Sequence, residues 1–286
     1  MVTLKEYRDG VLNRLRDKFT EGEATALTRI VLEDLAHYSP VDVALRKDTE
    51  IPTSLLEKTD KAVERICGGE PVQYVLGSTL FYGGRIKVTP DVLIPRPETE
   101  ELTDMIVDQW KARTDLRVLD ICTGSGCIAV ALASALPFAQ VTATDISEKA
   151  LEIAGKNAAS WRVKVRLLRD NALDTGLDTN DVFNIIVSNP PYICRKEAAA
   201  MEPTVLCHEP HLALFVPDND PLEFYRPIAG YAAKALAPGG MLYFEINPLY
   251  CADIVKMLNG MGFADVQALK DIHGRERFIT AQHQDD

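Results

Sequence analysis

The run Leu116-Arg117-Val118-Leu119-Asp120-Ile121-Cys122-Thr123-Gly124-Ser125-Gly126-Cys127 decides the fold. Its first six residues read as a short buried strand, and an apolar helical pattern begins at Cys127 and runs to Leu136. Between them, two glycines let the backbone turn sharply and come close to a ligand, and the helix start offers free N–H groups. A strand–glycine–helix turn is by itself only moderately specific. The strict Gly-x-Gly-x-x-Gly fingerprint of a dinucleotide site is not met, because Ala129 and Cys122 stand at glycine places; alanine at the third place is tolerated.

Outward from this run, strands and helices alternate. Residues 141–144 read as a strand, 150–159 as a helix, 163–168 and 182–187 as strands, and 222–236 as a helix. A strand at 241–246, a helix at 250–261 and two closing strands at 264–269 and 277–281 complete the series. Alternation of this kind predicts an α/β fold, an open Rossmann-like sheet with helices on both faces, whose ligands sit beyond the carboxyl ends of the strands. Asp145 ends the second strand, where a carboxylate accepts both hydroxyls of a ribose; capping the helix that begins near Ser147 is its competing role. Asp170 and Asn171 follow the third strand, in the place for an adenine contact.

The fourth strand runs into Ser188-Asn189-Pro190-Pro191-Tyr192. An Asn-Pro-Pro turn can simply terminate a strand, yet consecutive prolines present carbonyls only and are stiff. An NH₂ group can therefore donate one hydrogen to the Asn189 side-chain oxygen and the other to the Pro190 carbonyl, with Tyr192 stacked on the planar group. Fixing both hydrogens aims the nitrogen lone pair at a third point, where a sulfonium methyl fits. Such a site works by orientation and by stabilising charge that develops on nitrogen, and needs no strong general base.

Upstream, Leu4, Tyr7, Val11, Leu12, Leu15 and Phe19 form one apolar helical stripe. Thr20 and Glu23 have capping-box spacing, ahead of a second stripe at Leu27, Ile30, Val31 and Leu35. A third helix carries Leu55, Ala62, Val63 and Ile66 and stops at Gly68-Gly69. Phe81-Tyr82-Gly83-Gly84 suggests a β-hairpin turned at the Gly-Gly pair. In Ile94-Pro95-Arg96-Pro97 two prolines keep the backbone extended and fix where the guanidinium points. The expected division is a helical bundle at 1–70, a β-hairpin linker at 71–95 and a catalytic domain at 96–286.

The chain has 286 residues, 31 Lys+Arg and 42 Asp+Glu, a net charge of −11 that argues against binding naked nucleic acid through its phosphates. Its charged start and the lack of a long apolar run point away from a secretory leader or a membrane span. Six cysteines without a Cys-x-x-Cys pair fit reduced thiols in the cytoplasm. No metal is expected, since Cys207-His208-Glu209-Pro210-His211 lacks a second ligand cluster.

With those residues laid out, the chain resembles the class I S-adenosylmethionine-dependent methyltransferases, and more closely the release-factor glutamine N5-methyltransferases, the PrmC/HemK family. Gly69-Glu70-Pro71-Val72-Gln73-Tyr74, the Ile94–Glu100 segment, the Asn-Pro-Pro-Tyr run, Glu209-Pro210, Tyr225-Arg226, Pro238-Gly239-Gly240 leading into Glu245, and Gly274-Arg275 carry the likeness. The resemblance implies a methyl transfer from S-adenosylmethionine, leaving S-adenosylhomocysteine, to the glutamine of the Gly-Gly-Gln motif in class 1 peptide chain release factors. A monomer with no direct nucleic-acid partner and no membrane partner is expected. Cys122, Thr123, Gly124, Ser125 and Gly126 would surround the methionine part of the cofactor, with Asp145 at the ribose and Asp170 and Asn171 at the adenine. Asn189 would border the cofactor and, with Pro190, Pro191 and Tyr192, hold the glutamine amide; Arg96 would line the approach. Cys122 stands where that family usually has glycine, and Asn247-Pro248 follows Glu245-Ile246 where it usually has glycine. The alternative is an adenine-N6 methyltransferase acting on nucleic acid, which poses the same chemical problem but must extract a base and hold phosphates. A non-catalytic cofactor-binding module or a dehydrogenase would leave the Asn-Pro-Pro-Tyr run unexplained.

Overall fold

The computed structural model describes residues 2–283, in two compact units: residues up to 78 with 202–208, and 79–201 with 209 onward. In the first unit β1 (Val2–Thr3) leads into α1 (Leu4–Arg16), followed by α2 (Glu21–Leu35), α3 (Pro40–Leu45), β2 (Glu50–Ile51), α4 (Thr53–Cys67) and α5 (Val72–Leu76). Leu4, Tyr7, Val11 and Leu15 of α1 are buried, as the stripe predicts. The Thr20–Glu23 capping box forms, and Thr3–Glu6 and Ser39–Asp42 make two more. On α2 the buried face is Ala24, Thr28, Val31 and Leu32, with Leu27 and Leu35 half-covered. The expected stripe is thus rotated, because small Ala24 and a Thr28 hydroxyl bonded to the Ala24 carbonyl at 2.7 Å can face inward without an unpaired polar atom. Gly68 caps α4.

A hairpin follows, β3 (Ser78–Phe81) and β4 (Gly84–Lys87). Its turn is Tyr82-Gly83, not Gly-Gly: both residues have positive φ, 50° and 72°, as a tight two-residue hairpin turn requires. Gly84 lies within β4, where a Cβ would run into the Trp161 ring.

Next comes α6 (Pro97–Trp110), a helix that the sequence pattern does not predict; only the chain around Arg96 is expected to be extended. Arg96 is extended, and Pro97 then takes the first helical position, where a missing N–H costs nothing. Glu98 and Glu100 in the first turn suit the helix dipole, and Leu102 and Ile106 are buried. Beyond it lie β5 (Arg117–Ile121), α7 (Cys127–Ala135), β6 (Gln140–Asp145), α8 (Glu148–Trp161), β7 (Val165–Arg169), β8 (Phe183–Ser188), β9 (Ile193–Cys194), α9 (Pro203–His208, in the first unit), β10 (Phe215–Val216), α10 (Tyr225–Ala235), β11 (Leu236–Glu245), α11 (Cys251–Gly260), β12 (Ala264–Lys270) and β13 (Glu276–Gln282).

Seven strands form one sheet in the order β12-β13-β11-β8-β5-β6-β7. β7, β6, β5, β8 and β11 are parallel; β13 runs antiparallel between β11 and β12. Central strands covered on both faces must be apolar throughout, and Val118, Leu119, Ile185, Ile186 and Val187 are each fully buried. The sheet is thus mixed, with one antiparallel strand among parallel ones. It places the carboxyl ends of β5, β6, β7 and β8 along one rim, with the chain reversing direction beside β5.

Candidate active site

A cleft opens along that rim. Ligand sites in open α/β sheets form at such carboxyl-terminal crevices. Cys122, Thr123, Gly124 and Ser125 form one wall, Asp145, Asp170 and Asn171 another, and Asn189 and Pro191 face in from the end of β8. Gly126, Pro190, Tyr192 and Arg96 do not line it.

The wall after β5 is held by its own polar side chains. Cys122 takes φ 61° and Gly124 φ 53°, left-handed values that explain why glycine suits both places. A Cβ on Gly124 would meet nothing within 4 Å, so this glycine leaves its peptide open to the cleft. Gly126, φ 78°, serves a different end: its Cβ would sit 2.8 Å from Cβ of Ala154, so glycine here lets the loop pack on α8. Asn157, fully buried on α8, joins the loop to the hairpin: its Nδ2 donates to the carbonyls of Ser125 (2.8 Å) and Lys87 (3.0 Å), while its Oδ1 accepts from Lys87 N–H (2.7 Å).

Asp120, also fully buried, accepts at Oδ2 from the Thr123 hydroxyl (2.5 Å) and the Ala129 N–H (3.2 Å), and its Oδ1 has no hydrogen-bond partner. Burial pushes this carboxyl up to about 7. Asp145 accepts from the N–H groups of Gly124 and Ser147, each at 2.9 Å, and burial raises it despite those bonds. Asp170 orders the loop beyond β7, accepting from the Thr175 hydroxyl (2.7 Å) and the Gly176 N–H (2.8 Å). A carboxylate has about four lone-pair positions, so both Asp145 and Asp170 retain capacity for a ligand. Among the described residues three carboxylates, Asp91 (paired with Lys149 at 2.8 Å), Asp145 and Asp170, line the cleft and no Lys, Arg or His does. Its potential suits a cation or a neutral polar group, and not a phosphate.

At the end of β8 the Ser188 hydroxyl donates to the Ile121 carbonyl at 2.6 Å, fastening the Asn-Pro-Pro-Tyr turn to the wall after β5. Asn189 Nδ2 donates to Thr99 Oγ1 at 3.2 Å, and that hydroxyl donates to Glu245 Oε2 at 2.7 Å. The Tyr192 hydroxyl donates to the other oxygen, Glu245 Oε1, at 3.2 Å. Burial beside that carboxylate pushes the Tyr192 phenol far up, so it stays neutral. Burial also raises Glu245. Asn247, the residue in place of glycine, donates from Nδ2 to the Tyr192 carbonyl (3.2 Å) and to the Glu197 carboxylate, bracing the turn from behind. Arg96 is bound to Glu209 at 2.5 Å, and Glu209 also accepts from Ile94 N–H at 3.2 Å.

The sequence assigns no role to Thr99, Glu209 or Glu245, although each lies in a stretch that carries the likeness, and it does not single out Asn157. Only Thr99 had a local signal: proline at 97 with acids at 98 and 100 marks a helix start. The others depend on pairings across 32 to 146 residues.

A profile of the methyltransferase small domain matches residues 96–208, and one of the PrmC N-terminal domain matches 10–77. The chain is 43% identical over 268 residues to a release factor glutamine methyltransferase of Bacteroides thetaiotaomicron, covering 93% of this chain and 95% of that one. A Flavobacterium psychrophilum protein of the same description is 41% identical, covering 96% and 98%. A Thermus thermophilus 16S rRNA methyltransferase, solved with AdoMet and guanosine, shares the fold with a TM-score of 0.54 at 20% identity, covering 72% of this chain and 50% of that one.

Proposed function

The chain belongs to the release factor glutamine methyltransferase family, and from that premise we propose that it methylates the side-chain amide nitrogen (N5) of the glutamine in the Gly-Gly-Gln motif of class 1 peptide chain release factors. S-adenosylmethionine is the methyl donor; when bound, it supplies an electrophilic methyl on a sulfonium. The observation that carries the reading is a single cleft shared by Asn189, the glycine loop and Asp145, with carboxylates and no cationic side chain on its walls.

In this reading the loop from Cys122 to Gly126 borders the methionine portion of the cofactor, Asp145 accepts from the ribose hydroxyls, and Asp170 with Asn171 meets the adenine. Asn189 Oδ1 accepts one hydrogen of the glutamine NH₂ from the cleft wall, and the neighbouring Pro190 carbonyl, whose residue does not itself line that wall, accepts the other, turning the lone pair away from them and towards the methyl. Pro191 supplies a stiff wall. Tyr192 supports the turn as a neutral phenol and is no base; the glutamine nitrogen that receives the methyl gives its proton to solvent once alkylation has made it acidic. Positive charge developing on that nitrogen is favoured by the acidic cleft. Arg96, bonded to Glu209, shapes the approach by holding its segment in place.

Nucleic-acid adenine is the weaker reading, because a phosphate-bearing substrate gains nothing from walls that carry Asp91, Asp145 and Asp170. Among the described residues no helix is long and apolar enough to cross a membrane. A monomeric enzyme in the cytoplasm, where release factors act, completes the proposal; sedimentation tests the first part. The deciding experiment offers methyl-labelled S-adenosylmethionine with a release factor and, separately, with DNA. Label on the release-factor glutamine, reduced about 100-fold or more by Asn189→Ala, is the expected outcome. Label on DNA alone would overturn it.

A further inference from the structure

Given that Asn189 receives the glutamine amide, as proposed above, we propose that Thr99 and Glu245 determine which end of the Asn189 carboxamide faces the substrate. Both are positioning residues, acting through Asn189.

The oxygen and nitrogen of a carboxamide are nearly equal in size, so packing alone does not decide which way the group points. Hydrogen bonding does. Glu245 ends β11, and the parallel register that sets Phe244 beside Ser188 brings Glu245 level with Asn189. As a carboxylate it can only accept, and it does so from two hydroxyls, those of Thr99 and Tyr192. Thr99 has one hydroxyl hydrogen and gives it to Glu245. Its oxygen can then only accept, so the Asn189 atom 3.2 Å away is the nitrogen. The Asn189 oxygen is thereby left for the cleft, as an acceptor for a substrate N–H.

Thr99 is itself held firmly. It is the third residue of α6, with its N–H on the Arg96 carbonyl at 3.1 Å and its carbonyl accepting from the Thr103 hydroxyl at 2.8 Å. Three elements thus meet in one chain of donors with a single polarity: Asn189 to Thr99 to Glu245. Reversing that polarity would present an N–H to a substrate NH₂, donor against donor, at the reacting nitrogen.

Three variants of the full chain separate the roles. Thr99→Val keeps the shape and removes the relay. Thr99→Ser keeps the hydroxyl. Glu245→Gln is nearly isosteric but offers Thr99 an N–H, which lets the Thr99 hydrogen turn to Asn189 and flip the carboxamide. Turnover of a release factor, cofactor affinity by calorimetry and melting temperature are measured together. We expect kcat of Thr99→Val and Glu245→Gln to fall about 10- to 100-fold with cofactor affinity within about twofold of wild type, and Thr99→Ser to recover most of the loss. Asn189→Ala lacking activity while Thr99→Val turns over normally would overturn the relay and leave the glutamine reading standing. Asn189→Ala turning over normally would overturn the reading beneath it. Thr99→Ser as impaired as Thr99→Val would show that shape and not the hydroxyl matters, also against the relay. Should Thr99→Val lose cofactor binding or fold, Glu245→Gln decides: normal turnover overturns the proposal.

Discussion

Arg96 and Glu209, 113 residues apart, form an ion pair with Nη2 and Oε1 separated by 2.5 Å. The Glu209 side chain is 1% exposed and that of Arg96 31%, so the carboxylate depends on this guanidinium and on one backbone N–H. Arg96→Met should leave a buried charge unpaired and cost about 3 kcal/mol, the low end for such a pair. Adding Glu209→Gln should recover part of that loss. Urea unfolding of the single and double variants checks both.

Two glycines of the loop after β5 should respond differently to alanine. Gly126→Ala adds a methyl against Ala154 at a left-handed φ, and should destabilise by about 2–3 kcal/mol. Gly124→Ala meets open space, so only its φ penalty of about 1 kcal/mol applies, with weakened cofactor binding as the larger effect. Thermal melts with and without S-adenosylmethionine distinguish the two.

Asp145→Ala should weaken S-adenosylmethionine binding by about 1.5–3 kcal/mol, through the proposed ribose contact and the released Gly124 N–H. Asp145→Asn has one acceptor oxygen in place of two and should fall between. Calorimetry that found the Asp145→Ala affinity unchanged would remove this residue from the site.

The raised Asp120 carboxyl makes stability depend on pH. Between 3.8 and about 7 the folded chain keeps a proton that the unfolded chain has released. Stability from this group is therefore complete below the lower value and lost as pH rises through the upper one. Asp120→Asn removes that titration. The difference in unfolding free energy, wild type minus variant, should be greatest near pH 4 and decline towards pH 7; a flat difference would refute the shift.

What the sequence alone determined was whatever repeats over a short range. Alternating apolar runs predict the strands and helices of the sheet because the periods of strand and helix are local properties of the chain. The Asn189–Tyr192 turn stands out in the sequence because two adjacent prolines leave carbonyls without N–H groups. The glycines at 124 and 126 mark a sharp turn after the first strand of the sheet, again a matter of a few consecutive residues. Only the tertiary structure decided the pairings: Thr99 with Glu245, Asn157 with the hairpin, Arg96 with Glu209, Gly126 against Ala154. Each joins elements whose adjacency follows from strand order and helix docking, and a single residue carries no sign of a partner a hundred positions away. Arg96 shows the difference: its backbone is extended, as the flanking prolines predict, yet its guanidinium is directed by a glutamate that the fold supplies.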